Sequence, residues 1–257
     1  MTGHASGTRK GRSRWIILLA LGGLGLSLIC CSPTDSGYVS YQVDLRRQDL
    51  RLYWKDEQNQ RLGSLGRLSA WLSGQGRRVV FAMNAGMFRP DYSPQGLFVE
   101  EGRVLVPLDT AAGTGNFYLR PNGVFYTTTD QRAVVCPTAN FRYSSRVRYA
   151  TQSGPMLVVQ GRIHPAFTPG SANRQIRNGV GILPDGRVLL AMSQQKVSLY
   201  EFADFFRRRG CRNALYLDGF VSRAYAPGQR WRQTDGNFGV MLAVSECFGR
   251  NGAWVGE

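Results

Sequence analysis

The chain has 257 residues, with 32 Lys and Arg against 17 Asp and Glu and a formal net charge of +15. Its 43% apolar and 11% aromatic content suits one large globular domain. That composition excludes a disordered chain and a small scaffold dependent on disulfides, and neither internal repeats nor low-complexity tracts occur.

The N-terminus carries Arg9, Lys10, Arg12 and Arg14, followed by an apolar run over residues 15–29 (WIILLALGGLGLSLI) and then Cys30 and Cys31. A run of this length suits the core of an export signal and is short for a bilayer span. Leu28-Ile29-Cys30-Cys31 is a rough lipobox that would place a lipid on Cys31. A lipoprotein, an uncleaved membrane anchor and a freely secreted protein are the three outcomes, and each exports the domain with the basic flank left inside. Residues 1–31 are therefore expected to be a leader, 32–40 a linker and 41–257 one domain. Without the four basic residues of the leader, 28 Lys and Arg face 17 acids, a net +11. Such a surface attracts phosphate-bearing or anionic lipid partners, and export argues against nucleic acid. Cys136, Cys211 and Cys247 allow one disulfide and an odd thiol, or three buried thiols.

Strand-like text covers residues 38–54. Leu65, Leu68, Trp71 and Leu72 lie at helical spacing before Gly74, and the apolar strand 78–83 runs into Asn84. Hairpins are expected at 96–107 around Glu101-Gly102, at 116–128 around Pro121-Asn122-Gly123, at 155–163 around Gln160-Gly161 and at 180–193 around Pro184-Asp185-Gly186. Ser198-Leu199-Tyr200-Glu201 is a capping box that opens a helix over 199–209, with Leu199, Phe202, Phe205 and Phe206 as its apolar stripe. A strand over 213–217 follows, so 187–217 reads as a β-α-β passage favouring a parallel pair. The fold class is α+β: a mostly antiparallel twisted sheet built from hairpins, with a few covering helices.

Candidate chemistry emerges by elimination. His164 is the only histidine beyond the leader, and no GxSxG elbow accompanies it. A histidine-based zinc site, CxxC, a P-loop and a GxGxxG after a strand are all missing, so no metal or cofactor is expected. Carboxylates, amides and arginines remain. Two strands end in polar groups, at Asn84-Ala85-Gly86 and at Asp218-Gly219, and Arg177-Asn178 stands just before a third strand. Side chains on strand ends are rigidly held and can converge. An arginine fork suits phosphate, an asparagine suits sugar hydroxyls, and an aspartate suits work at an anomeric carbon. Asn and Asp beside Gly are equally common as turn formers.

The chain resembles the phosphodiester glycosidase family, the domain of the lysosomal uncovering enzyme that removes N-acetylglucosamine from a phosphate. The likeness spans roughly residues 78–245. It rests on Asn84-Ala85-Gly86-Met87-Phe88, Ser153-Gly154-Pro155-Met156-Leu157-Val158, Arg177-Asn178-Gly179-Val180-Gly181, Leu217-Asp218-Gly219 and Gly239-Val240, in the family's order. Phe220 and Val221 stand where the family has glycines, and Asn178 where it often has threonine, so the substrate need not be N-acetylglucosamine.

The expected activity is hydrolysis of a glycosidic bond to a phosphate ester in the cell envelope. Asp218 is expected as nucleophile or base, Arg177 as phosphate ligand and Asn84 as the group orienting the sugar. Asn178, Gly219, Ser222, Arg223, Gly86 and Gly154 are expected around the substrate, and Asp91 and Asp235 are candidates for a second carboxylate. The alternative is a module that binds envelope polysaccharide in the same cleft without turnover. Either way the partners are a sugar phosphate or envelope glycan, and a membrane reached through the N-terminal segment or a lipid on Cys31.

Overall fold

The computed structural model describes residues 1–5, 37–218 and 220–247, with Cys247 described in its backbone alone. The chain divides into Met1–Asp35 and Ser36–Glu257. The leader's basic and apolar stretches, Cys31, residues 32–36 of the expected linker and Gly219 lie outside the described residues. Residues 1–5 carry no regular structure. Among the described residues, no helix is long and apolar enough to cross a membrane.

In chain order, β1 (Tyr38–Val43) and β2 (Asp49–Tyr53) precede α1 (Leu65–Gly74), and β3 (Arg77–Gly86) follows. Next come β4 (Phe98–Glu100), β5 (Arg103–Val106), β6 (Gly123–Thr128), β7 (Ala133–Pro137) and β8 (Val147–Ser153). Then follow β9 (Met156–Val159), β10 (Arg162–Ile163), β11 (Asn178–Ile182) and β12 (Val188–Ser193). After α2 (Leu199–Arg208) come β13 (Ala214–Asp218), β14 (Ala224–Ala226), β15 (Trp231–Arg232) and β16 (Val240–Cys247).

The strands form three sheets, ordered β1-β12-β11-β13-β9-β10, β15-β14-β3-β16-β2 and β5-β4-β8-β6-β7. The ladders described are antiparallel. Alternation along each strand sends one set of side chains into a shared core. Val188, Leu190 and Met192 of β12, Phe81 and Met83 of β3, and Phe125 of β6 meet there. The opposite faces of two sheets are covered by helices. Leu189 and Ala191 of β12 lie under Phe202, Phe205 and Phe206 of α2, while Met241 and Ala243 of β16 lie under Leu65, Leu68 and Leu72 of α1. Each phenylalanine buried beneath α2 contributes roughly 2 kcal/mol. The helix starts where its capping box requires: Ser198 Oγ accepts from Glu201 N, and Glu201 Oε2 accepts from Ser198 N at 2.7 Å. Two glycines let α2 approach closely. A Cβ at Gly181 would sit 2.7 Å from the Phe206 ring, and one at Gly179 would sit 3.1 Å from the Phe202 ring.

The hairpins expected at 96–107, 155–163 and 180–193 are present as β4–β5, β9–β10 and β11–β12. Their turns hold the positive φ angles that glycine tolerates, as at Gly102 (78°), Gly161 (82°) and Gly186 (86°). The hairpin expected at 116–128 is absent. Asn116–Tyr118 is a 3₁₀ turn, and Asn122 Nδ2 donates to Phe117 O at 3.0 Å, folding the segment onto itself. β6 instead pairs with β7 and β8. The strand-like text at 38–54 breaks at Asp44, whose carbonyl accepts from the N–H groups of Arg47 and Gln48, and its halves join different sheets. The expected linker is accordingly strand from Tyr38 onward. The β-α-β passage exists, with β12 and β13 parallel, but they do not pair. β11 lies between them because its short hairpin with β12 occupies that flank.

Candidate functional site

The two polar strand ends meet. Asn84 Nδ2 donates to Asp218 Oδ2 at 3.4 Å, and both side chains are buried. Asn178 joins them from the start of β11. Its Nδ2 donates to Asn84 O at 2.6 Å and Asn84 Oδ1 at 2.9 Å, and its Oδ1 accepts from Asp218 N at 2.9 Å. Arg223 N also donates to Asn84 Oδ1, at 3.0 Å. Two N–H donors on Asn84 Oδ1 fix the orientation of that amide, so its Nδ2 must face the carboxylate. On the other side of the carboxylate, Phe220 N donates to Asp218 Oδ1 at 3.0 Å. A charged acceptor holding two N–H donors makes the stronger class of hydrogen bond.

Backbone irregularity aims these groups. Asp218 pairs with Asn178 and Tyr216 with Gly179, so Leu217 is the extra residue of a β-bulge. In an unbroken strand Asp218 would share a face with Tyr216; the bulge turns it towards Asn178. β3 is bulged in the same way at Ala85, between the pairs Asn84–Met241 and Gly86–Val240. Ser222 Oγ donates to Asp218 O at 2.6 Å and to Ile176 O at 3.2 Å, closing the loop after β13.

Arg177 is not brought to this cluster. It precedes Asn178, so its side chain leaves the opposite face of the strand. It is 1% exposed. Nε donates to Val197 O at 2.8 Å, Nη2 to Asn173 O at 2.8 Å and Nη1 to Tyr216 OH at 3.1 Å. Burial pushes the Tyr216 phenol up to about 12, against the opposing effect of the Arg177 charge. The guanidinium serves as a buried tie between the 173–177 segment, the entry to α2 and β13. The cluster therefore holds Asn84 and Asp218 with Asn178 in place of Arg177, and all three are buried.

Arg223 joins the amide cluster through its backbone N–H, on Asn84 Oδ1. Its guanidinium pairs with Asp235 at 2.9 Å, and its side chain is 38% exposed. Asp235 thus lies one residue from the cluster, whereas Asp91 caps its own turn by accepting from Ser93 N and Oγ. Gly86 and Gly154 are packing positions. A Cβ would meet Thr151 Oγ1 at 2.7 Å from Gly86, and Phe117 O and Asn122 Cβ at 2.7 Å from Gly154. His164 is structural: it stacks on Phe167, Nδ1 accepts from Ala166 N and Nε2 faces Arg120 O at 3.0 Å. Burial holds its pKa below the ordinary value. Cys136 and Cys211 are free thiols, pushed by burial to about 11 and about 12. No group of three or more metal-ligating side chains occurs among the described residues.

A cavity of about 410 Å³ is lined by Asp109, Arg120, Asn122 and Thr138 among others. None of Asn84, Asn178 or Asp218 lines it. The sequence placed Ser153 in a family-like segment without a site role; its Oγ donates to Leu217 O at 2.8 Å and holds the bulge. Sequence reasoning missed Tyr216, the partner of Arg177; strand alternation around Leu215 and Leu217 was the available signal.

The phosphodiester glycosidase family profile matches residues 77–249. The Escherichia coli (strain K12) protein described as uncharacterized protein YigE is 38% identical over 190 residues, 74% of each chain. In fold, the chain is similar to the zebrafish N-acetylglucosamine-1-phosphodiester alpha-N-acetylglucosaminidase catalytic domain, described as auto-inhibited by its pro-peptide. The TM-score is 0.50 at 13% identity, covering 81% of this chain and 88% of that one. A Burkholderia pseudomallei protein described as exported gives a TM-score of 0.51 at 14% identity, covering 80% and 73%. Given the profile match and the identity to the Escherichia coli relative, the chain belongs to the phosphodiester glycosidase family.

Proposed function

We propose that the chain hydrolyses the bond between a sugar anomeric carbon and a phosphate ester, acting in the cell envelope after export. The observation that carries this reading is the Asp218 carboxylate, fixed at a strand end by the Asn84 amide and the Phe220 N–H. Asn84 is held by β3 and Phe220 by the turn that follows β13, so the carboxylate is oriented before substrate arrives. Water adds to the anomeric carbon, the C1–O bond breaks, its electron pair leaves on the phosphomonoester oxygen, and the water proton passes to Asp218. A phosphate ester is a good leaving group, so one carboxylate and one phosphate-binding cation suffice. Arg223, half-exposed and tied to Asn84 through its N–H, is that cation in this reading. Attack by Asp218 itself would give a covalent intermediate instead. Inversion at the anomeric carbon marks the first route and retention the second.

The basic stretch and apolar run at the N-terminus support a membrane-anchored or lipid-modified form, with the domain on the periplasmic or envelope side. Substrates in this reading are sugar phosphates or envelope glycans carrying phosphodiesters. A binding module without turnover is the second reading, favoured by the shielding of Asp218, which is only 7% exposed. Incubating the purified full chain with sugar 1-phosphate diesters separates the two. Release of free sugar and phosphomonoester supports the hydrolase. Saturable binding with no product supports the module.

A further inference from the structure

Phe220 is 93% exposed, although most large apolar side chains of the domain are buried. Its position is set on both sides. Its N–H is held on Asp218 Oδ1 at 3.0 Å. Val221 packs against the α1 core cluster, and Ser222 Oγ returns to Asp218 O at 2.6 Å. Phe220 thus stands between two anchored neighbours, and no described residue covers its ring. A phenylalanine buries roughly 150–250 Å² when it finds a partner, so this exposure forfeits a large contact.

The surroundings of the carboxylate are also two-sided. Asn84 Nδ2 meets Oδ2, with the backbone N–H of Arg223 bonded beyond it on Asn84 Oδ1, and the backbone N–H of Phe220 meets Oδ1. We infer that Phe220 is the sugar-binding plate of the site, stacking on the apolar C–H face of the ring whose anomeric carbon lies at Asp218. This rests on the hydrolase reading and names its glycone subsite. An aromatic face is electron-rich, so it attracts sugar C–H groups and disfavours an anionic phosphate. The phosphate accordingly lies on the Arg223 side and the ring on the Phe220 side.

The test uses the full chain as wild type, Phe220→Ala and Phe220→Trp, with methyl diesters of N-acetylglucosamine 1-phosphate and glucose 1-phosphate in both anomers. For a diester the wild type hydrolyses, Phe220→Ala is expected to raise KM about tenfold while kcat stays within about twofold. Phe220→Trp restores KM, and Tm is unchanged because the side chain packs on nothing. An unchanged KM in Phe220→Ala overturns the inference. If the wild type hydrolyses none of the diesters, the hydrolase reading fails, and the plate is then read by the fluorescence of Phe220→Trp against wild type. A saturable change with methyl glycosides supports the plate, and no change overturns it.

Discussion

Arg177 and Asn178 are neighbours in sequence, yet they serve opposite faces of one strand. On the α2 side, Arg177 is sealed among Val197 O, Asn173 O and Tyr216 OH. On the other side, Asn178 binds Asn84 and the Asp218 backbone beneath a loop whose tip, Phe220, is in solvent. Both are buried polar residues, and burial alone would rank Arg177 as the more unusual. Direction separates them: one network closes on itself, and the other ends at a carboxylate next to an exposed loop.

That contrast breaks first under truncation of the arginine. Arg177→Ala leaves Asn173 O and a buried phenol without the arginine donor, and Val197 O with the Gln175 N–H alone, so a loss of about 3 kcal/mol in chemical denaturation is expected. A loss below about 1 kcal/mol accompanied by loss of hydrolysis would put Arg177 in the site after all. Asn178→Ala acts through Asn84. It removes one of the two donors that set the Asn84 amide, along with the acceptor of Asp218 N, so kcat falls about tenfold to a hundredfold with KM nearly constant. Equal kcat in this variant would show that the carboxylate needs no such orientation.

A smaller effect lies away from both faces, at Glu100 in β4. Burial, followed by the neighbouring Glu101 charge, pushes its pKa up to about 7. An acid whose folded pKa is raised binds more protons when folded, so stability falls as pH rises from about 4.5 to 7 and then levels off. Allowing for solvent screening at a side chain only partly buried, Glu100→Gln should gain about 1 kcal/mol at pH 8 and little at pH 4. Denaturation at the two pH values checks this, and an equal difference at both would remove the charge as its cause.

What the sequence made legible was local. The Glu101-Gly102, Gln160-Gly161 and Pro184-Asp185-Gly186 turns and the Ser198–Glu201 capping box depend on residues close in the chain, and all appear. The polar ends of β3 and β13 were legible for the same reason: each closes an apolar run. The strand order was not, because nothing near Val188 or Ala214 reveals that β11 separates them. The bulge at Leu217 was equally hidden, yet it turns Asp218 towards Asn178. Side-chain alternation across Arg177-Asn178 did carry the answer. Read as a strand, the pair cannot point the same way, and the asparagine is the member that reaches Asn84.

The central claim is that the Asp218 carboxylate does the chemistry rather than shaping a turn. Asp218→Asn keeps an oxygen to accept from Phe220 N and nearly the same volume, but turns its NH2 onto Asn84 Nδ2, so the domain should stay folded with a modestly lowered Tm. Assayed as the full chain on a sugar 1-phosphate diester that the wild type cleaves, it is predicted to lose at least about a thousandfold in kcat. Wild-type turnover by a folded Asp218→Asn protein would contradict the account, because an uncharged amide cannot take the proton or attack the anomeric carbon.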